Sequence, residues 1–539
     1  MKTITFLLLA FSLNCFSQTE EEFFNSGIKK NKAGDYQGAI EDYTKALGLN
    51  PKNSYSFYNR GNSKSNLKDY AGAIADFTES IVLNSKDADA YFNRANANYN
   101  LNNTNDALSD YSKAILLNPK KASHYFGRGV LKNELKDYIG AISDFSTSIK
   151  FDPKNGKFYF YRGLSKGDLQ NLRGAILDYS KAIELNSKDA NSYFNRGTAK
   201  NELKDYKGAI MDFTKSIELN PKDAASYYSN GKAKSEIKDY QGAIVDFSKS
   251  IEFNPNDEES YLKRGMAKDD LGDFQGAIID YNTAIELNPK NSTAYFNEAV
   301  TKNKIADYKG AIADYSKVIE INPEDIDSYF NRGEAKINID DYMGAIEDFS
   351  IVIKFKPKDA LAYNRRGIAK FNLEDYTGSI EDLSLFIKLN PNYAEVYYQR
   401  ANAKDKIKNY IGAIADFTSA IRLNPKVASL YYERGCSKER MKDNRGAIAD
   451  YSKVIELNPD YRNVYLKRGF AKSKLEDWKG AIVDFNKTLQ LDPKEVLAYC
   501  GSGISKIMLQ QKDAGCQDLQ RAVDLGYNEA INIIKQFCK

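Results

Sequence analysis

Apolar and small side chains recur along this chain in two bursts of helical spacing, and the pair of bursts returns every thirty-four residues from Glu20 to Glu529 without insertion. When each unit is numbered 1 to 34 from Glu20, Ser54, Ala88 and so on to Val496, these residues fall at 4, 8 and 14, and again at 17, 20, 21, 24, 27 and 28. That spacing puts each set on one face of a helix, so every unit predicts a helix A, a short turn and a helix B. Asp or Asn at 16 (Asp35, Asp69, Asp137, Asp205) stands where an N-cap of helix B belongs, because its side chain can accept from first-turn amides. The Asn-Pro that closes most units, as at Pro51, Pro119, Pro221 and Pro459, ends helix B, since proline cannot donate and disfavours a helical residue before it.

A unit of this size cannot bury its own apolar face and is stabilised by stacking on its neighbours. Fifteen units fill residues 20–529, which predicts an all-α solenoid in one continuous array rather than several domains. Position 8 is Gly or Ala in every unit, position 20 is Ala except at Ser379 and Gly515, and position 24 is aromatic except at Leu383 and Leu519. With Tyr or Phe at 17, Ala or Ser at 27 and Pro at 32, this pattern resembles the tetratricopeptide repeat. The resemblance implies hairpins wound into a right-handed superhelix, with helix A of each unit lining a concave groove.

At 42% hydrophobic and 28% charged, with a formal net charge of +4 and no polybasic run, the composition fits a soluble helical protein and gives no sign of nucleic-acid binding. Residues 1–17 differ in kind. A basic start, the apolar run Ile4 to Leu13 and Cys15-Phe16-Ser17 predict a secretory signal peptide cut after Ser17. The run is too short to favour a membrane span, and lipid attachment through Cys15 is the alternative. The protein is therefore expected outside the cytoplasm, in the periplasm, the cell envelope or the medium, where a disulfide can form. In the fold implied by the resemblance, Cys516 at position 21 faces the next helix, here the terminal stretch 530–539 read as a capping helix. Cys516 and Cys538 are the candidate pair, with free thiols the alternative.

No catalytic constellation is legible. The one histidine, His124, has no partner motif and reads as a packing residue, and no cofactor or metal motif is present. The most regular charges read as architecture. Asp occupies position 23 in all fifteen units, Arg position 7 in eleven, and Lys position 11 in all but one, so the acidic row is expected to neutralise the basic one, each exposed pair adding little.

Recognition is expected at helix A positions that vary and that, by the resemblance, face the groove. Asn59, Asn62, Asn66, Asn93, Asn96 and Asn100 form an early polar cluster able to bond a backbone or glycan hydroxyls. Position 13 is acidic in Glu134, Asp168, Glu202, Glu236 and Asp270 and basic in Lys406, Arg440 and Lys474, a gradient that would orient a partner if it is not simply a solvated face. Phe194 represents the aromatic row at position 5, which is either an aromatic floor or packing between A helices. Many members of the family clamp a carboxylate with lysines at 5 and 2; position 5 is aromatic in most units, and Lys157 is the lone lysine at 2, so that mode is not expected. The reading is an exported, non-catalytic interaction scaffold that takes a peptide or protein in its groove, with an envelope glycan-binding protein as the alternative.

Overall fold

The computed structural model describes residues 19–461 and 463–538; the expected leader over residues 1–17, with Cys15, lies outside the described residues. Among the described residues there are thirty-one α-helices and no strand. In most repeats helix A fills positions 1 to 13 and helix B positions 17 to 30, as in α11 (Ala190–Glu202) and α12 (Tyr206–Leu219). Such pairs run from α1 (Glu20–Lys32) to α30 (Lys512–Asp524), and a further helix, α31 (Ala530–Phe537), follows.

Repeat 6 shows why the chain turns where it does. Lys204 N donates to Asn201 O at 2.9 Å and Asp205 N to Lys200 O at 2.9 Å, which satisfies the last carbonyls of α11 in a Schellman closure. This requires a left-handed residue at position 15, and Lys204 has φ +62. Position 15 is left-handed in every repeat, although it is glycine only at Gly34 and Gly272. Asp205 then opens α12 by accepting from Gly208 N at 3.0 Å. Only glycine fits at 208, because a Cβ there would stand 2.2 Å from Asp205 Oδ2.

Packing follows from the small residues. Ala209 is fully buried, and Gly197 lets helix A down onto the Phe213 ring, where a Cβ would meet Cε1 at 2.8 Å. Phe213 also reaches Ala233 in α13 (Ala224–Glu236), so the same ring closes its own hairpin and seals the next repeat. Ser216 strengthens that joint, donating to Ala190 O at 3.2 Å and lying 3.0 Å from Ser226 Oγ.

The chain divides into two compact units, Met1–Gly272 and Asp273–Lys539. The first carries repeats 1 to 7 and helix A of repeat 8, α15 (Glu258–Asp270); the second starts with α16 (Phe274–Leu287) and carries repeats 9 to 15. Within each unit helix B sits between its own helix A and the next, and consecutive A helices touch directly. Examples are α3 (Ser54–Asn66) with α5 (Ala88–Asn100) in the first, and α21 (Ala360–Asn372) with α23 (Ala394–Lys406) in the second. The A row is therefore the closely spaced, inner side of each stack.

At the C-terminal end, α31 packs over Leu519, Ala522 and Tyr499. Cys516 and Cys538 are joined as a disulfide with their Cα atoms 5.8 Å apart, while Cys436 and Cys500 are buried thiols. Burial pushes both thiols above the usual range.

Candidate binding surface

The repeating charges form a framework behind the inner row. Arg196 grips Asp212 in bidentate fashion, Nε to Oδ2 at 2.9 Å and Nη2 to Oδ1 at 2.6 Å, and Lys200 Nζ lies 2.7 Å from Oδ2. The Asp212 side chain is 5% exposed and that of Arg196 18%. These pairs are buried rather than exposed, which raises the cost of breaking them above the small value expected from the sequence. Arg196 also stacks 5.5 Å from the Tyr193 ring centroid and sends Nη1 to Ser180 Oγ of the preceding repeat at 3.0 Å. The hydroxyl at position 25 thus ties consecutive repeats together, a role sequence reasoning missed. Its signal was the Ser or Thr that recurs there at Thr44, Ser146 and Ser180.

Two departures show how strict the framework is. In repeat 7 Asn230 replaces the arginine and donates to Asp246 Oδ2 at 2.9 Å, and burial raises the Asp246 carboxyl above its usual range despite Lys234. In repeat 9 Glu298 stands where the arginine should be, 1% exposed, and the preceding position 25 is Asn282 instead of a hydroxyl. Polarity is inverted as a unit: Asn282 Nδ2 donates to Glu298 Oε1 at 2.9 Å, and Lys302 Nζ bridges Glu298 and Asp314 at 2.7 Å each. Burial lifts Asp314 to about 6 against the pull of Lys302, and the Glu298 charge adds to the rise.

In front of this framework lie the variable positions. Asn93 Nδ2 donates to Asn62 Oδ1 at 2.8 Å and to Tyr58 Oη at 2.9 Å, and Asn96 Oδ1 accepts from Tyr111 Oη at 2.7 Å. Asn59 and Asn100 fold back onto their own helices, at Tyr55 O and Asn96 O, and Asn66 is exposed. The structure thus joins Asn62 to Asn93, while the other members stay separate. Glu134, Asp168, Glu202, Glu236, Asp270, Lys406, Arg440 and Lys474 are all exposed at the end of helix A. Several reach back one repeat. Tyr99 donates to Glu134, Arg440 pairs with Asp405, and Lys474 Nζ pairs with Glu439 at 2.8 Å. Asp405 and Glu439 at position 12 therefore offset the basic residues of the far end, and period alone did not reveal them. Phe194 is half-buried with its centroid 5.8 Å from that of Phe213, and the position-5 rings pack in this way against position 24 through most of the array. On the same inner side, a cavity of 680 Å³ opens beside Phe126, Phe160, Lys157 and Asn191.

His124 is fully buried, its ring stacked 5.0 Å from Phe92 with Nε2 3.3 Å from Asp89 Oδ1, and burial lowers its pKa. It is a packing residue. Among the described residues no group of His, Cys, Asp and Glu is placed to hold a metal, and no helix is long and apolar enough to cross a membrane.

Family models described as tetratricopeptide repeat match residues 32–88, 88–121, 190–223, 258–291, 394–427 and 428–461, and one described as TPR repeat matches 307–338. Five of these segments begin on position 1 of the thirty-four-residue register. The chain is built of tetratricopeptide repeats. No curated protein matches it. Among solved structures, this tetratricopeptide-repeat chain is similar to YrrB, titled a TPR protein with an unusual peptide-binding site, at 23% identity and TM-score 0.32 over 34% of the chain and 95% of YrrB. It is similar to the MamA protein at 28% identity and TM-score 0.31, over 32% and 93%. A third likeness, at 22% identity and TM-score 0.39 over 44% and 98%, is to the C-terminal part of a TPR repeat-containing protein from Cytophaga hutchinsonii.

Proposed function

We propose that the protein is an exported, non-catalytic interaction scaffold whose row of A helices takes a peptide or protein partner. One observation carries the reading. The buried framework at positions 7, 8, 11, 20, 23 and 24 is nearly constant, whereas positions 6, 9 and 13, on the inner side, change from repeat to repeat. A constant frame presenting a changing surface can distinguish successive segments of a ligand; a surface identical in every repeat cannot. Export is supported by the leader-like residues 1–17 and by the Cys516–Cys538 bond, which suits an oxidising compartment. The glycan reading drew on the rings at position 5, and their packing against position 24 leaves less ring surface for sugars, so a polypeptide partner is favoured.

The test is a photo-crosslinker introduced singly at Asn93, Glu202 or Arg440 on the inner row, or at Leu177 or Met211, exposed on helix B, in chains lacking residues 1–17. Incubation with envelope proteins and with glycan fractions should give protein adducts from inner positions only. Adducts confined to helix B, or only to glycans, would overturn the proposal.

A further inference from the structure

Repeat 11 lacks a feature that the other internal repeats have at least in part. Rings at positions 5 and 24 pack face to edge or tilted between helices A and B, as Phe330 on Phe349 with centroids 5.5 Å apart in repeat 10 and Tyr398 on Phe417 at 6.0 Å in repeat 12. Repeat 11 has Asn364 and Leu383 at these positions, so neither ring is present. Repeat 15 also lacks both, with Cys500 and Leu519, but there α31 and Tyr527 pack over the place.

The space in repeat 11 stays open. A cavity of 180 Å³ is lined by Gly367, Ile368, Phe371, Ser379, Leu383, Gln399 and Asn402. Two further rings stand nearby and neither fills it: Phe371 lines the cavity and packs edge-on against Tyr376 with centroids 5.3 Å apart, and Phe386 clusters with Leu383 and Val396 and packs against Tyr393 at 5.7 Å. Gln399 and Asn402 belong to positions 6 and 9 of the next A helix, so the mouth opens on the inner row. A dry apolar cavity of roughly 150 Å³ is enough to hold benzene.

A second substitution points the same way. Position 20 is Ala in nearly every repeat, but here it is Ser379, fully buried, whose Oγ has no hydrogen-bond partner. A buried hydroxyl without a partner loses its hydration with nothing in return. Its place in the wall of an open cavity means that an occupant with a polar tip would satisfy it. Gln399 Oε1 already accepts from Asn364 Nδ2 at 2.8 Å, which holds the side of the mouth in place.

We infer that this slot in repeat 11 receives an aromatic side chain of the partner polypeptide, preferably tyrosine, whose ring takes the place of the absent intramolecular ring and whose hydroxyl bonds Ser379 Oγ. The inference rests on the scaffold reading and makes it more specific: the partner carries an exposed aromatic residue in an extended segment, with Gln399 and Asn402 placed to bond the backbone beside it.

Two arms test it on the full chain. First, p-cresol and toluene serve as probes in ligand-detected NMR. Wild type should bind both saturably, favouring p-cresol by about two- to tenfold, the worth of one net hydrogen bond. Leu383→Phe restores the residue that Phe349 and Phe417 supply in the flanking repeats, so it should fold at least as well while losing saturable binding. Ser379→Ala should keep toluene and lose the preference. Equal binding by wild type and Leu383→Phe overturns the slot. Second, random displayed peptides are selected on wild type; enriched sequences should share an aromatic residue and bind Leu383→Phe at least tenfold more weakly. Peptides that bind both chains equally contradict the slot and leave the scaffold reading standing, whereas failure to select any peptide contradicts the scaffold reading and this inference with it.

Discussion

Replacing Arg196 by Met removes one guanidinium from the framework and keeps most of the side-chain volume. The variant loses the bidentate contact with Asp212 at 2.6 and 2.9 Å, the 3.0 Å bond to Ser180 and the stacking on Tyr193. Removing one partner of a buried ion pair costs about 3–5 kcal/mol when the other charge is abandoned. Here Lys200 remains 2.7 Å from Asp212 Oδ2, so the carboxylate keeps a counter-charge. The expected loss is therefore about 2 kcal/mol, and since 1.36 kcal/mol is a factor of ten, amide exchange through local opening should quicken roughly 30-fold. Coupling between nearest neighbours confines that change to repeats 5 to 7. Hydrogen exchange with mass spectrometry reads it repeat by repeat. Exchange within about twofold of wild type across repeats 5 to 7, or an equal rise along the whole chain, would refute the reasoning.

Four further outcomes follow. Gly197→Ala puts a Cβ 2.8 Å from the Phe213 ring and should lower stability by about 1–3 kcal/mol, whereas Gly48→Ala, with nothing within 4 Å, should raise it by about 0.5–1 kcal/mol in urea unfolding. Lys204→Gly relieves the left-handed φ of +62 and should gain about 0.5–1 kcal/mol in the same assay; a loss would mean that the turn does not strain its side chain. Asp314, lifted from 3.8 to about 6, takes up a proton on folding, so the stability it contributes is complete below about pH 4 and is lost as pH rises through 6. The Tm difference between wild type and Asp314→Asn should accordingly move in favour of the variant from pH 4 to pH 8, and a pH-independent difference would contradict this. Reduction of Cys516–Cys538 should speed exchange in α31 and leave repeats 1 to 12 unchanged, as followed by the same mass spectrometry.

Much of the hairpin was legible because it is set by local and nearest-neighbour chemistry that each unit spells out again. Asp205 capping helix B, Gly197 under Phe213, and Asp212 between Arg196 and Lys200 all follow from spacing within one unit. The left-handed residue at position 15 was not legible, because Lys, Gln, Ala and Glu occupy it and the Schellman closure, with the packing of helix B, imposes φ on them. Nor were the ties along the inner row, Arg440 to Asp405 and Asn93 to Asn62. These join residues thirty-five and thirty-one apart, and the offset between adjacent A helices, which decides that register, is a property of stacking that a period does not encode. The slot in repeat 11 showed in the sequence only as two missing aromatics, and it took the packing of Phe371 against Tyr376 and of Phe386 against Tyr393 to show that the space stays open.

The central claim is that every hairpin is stabilised by burying the next through an interchangeable joint. Excising residues 156–189 tests it most directly, because the cut joins Asn155 to Ala190 in register and would bring Arg196 to Ser146 as Arg162 stands now, at 3.1 Å. The account predicts a folded chain with unchanged helicity per residue and cooperative melting, while excising residues 156–172, half a unit, should collapse the neighbouring repeats. A whole-unit deletion that unfolds as completely as the half-unit deletion would contradict it.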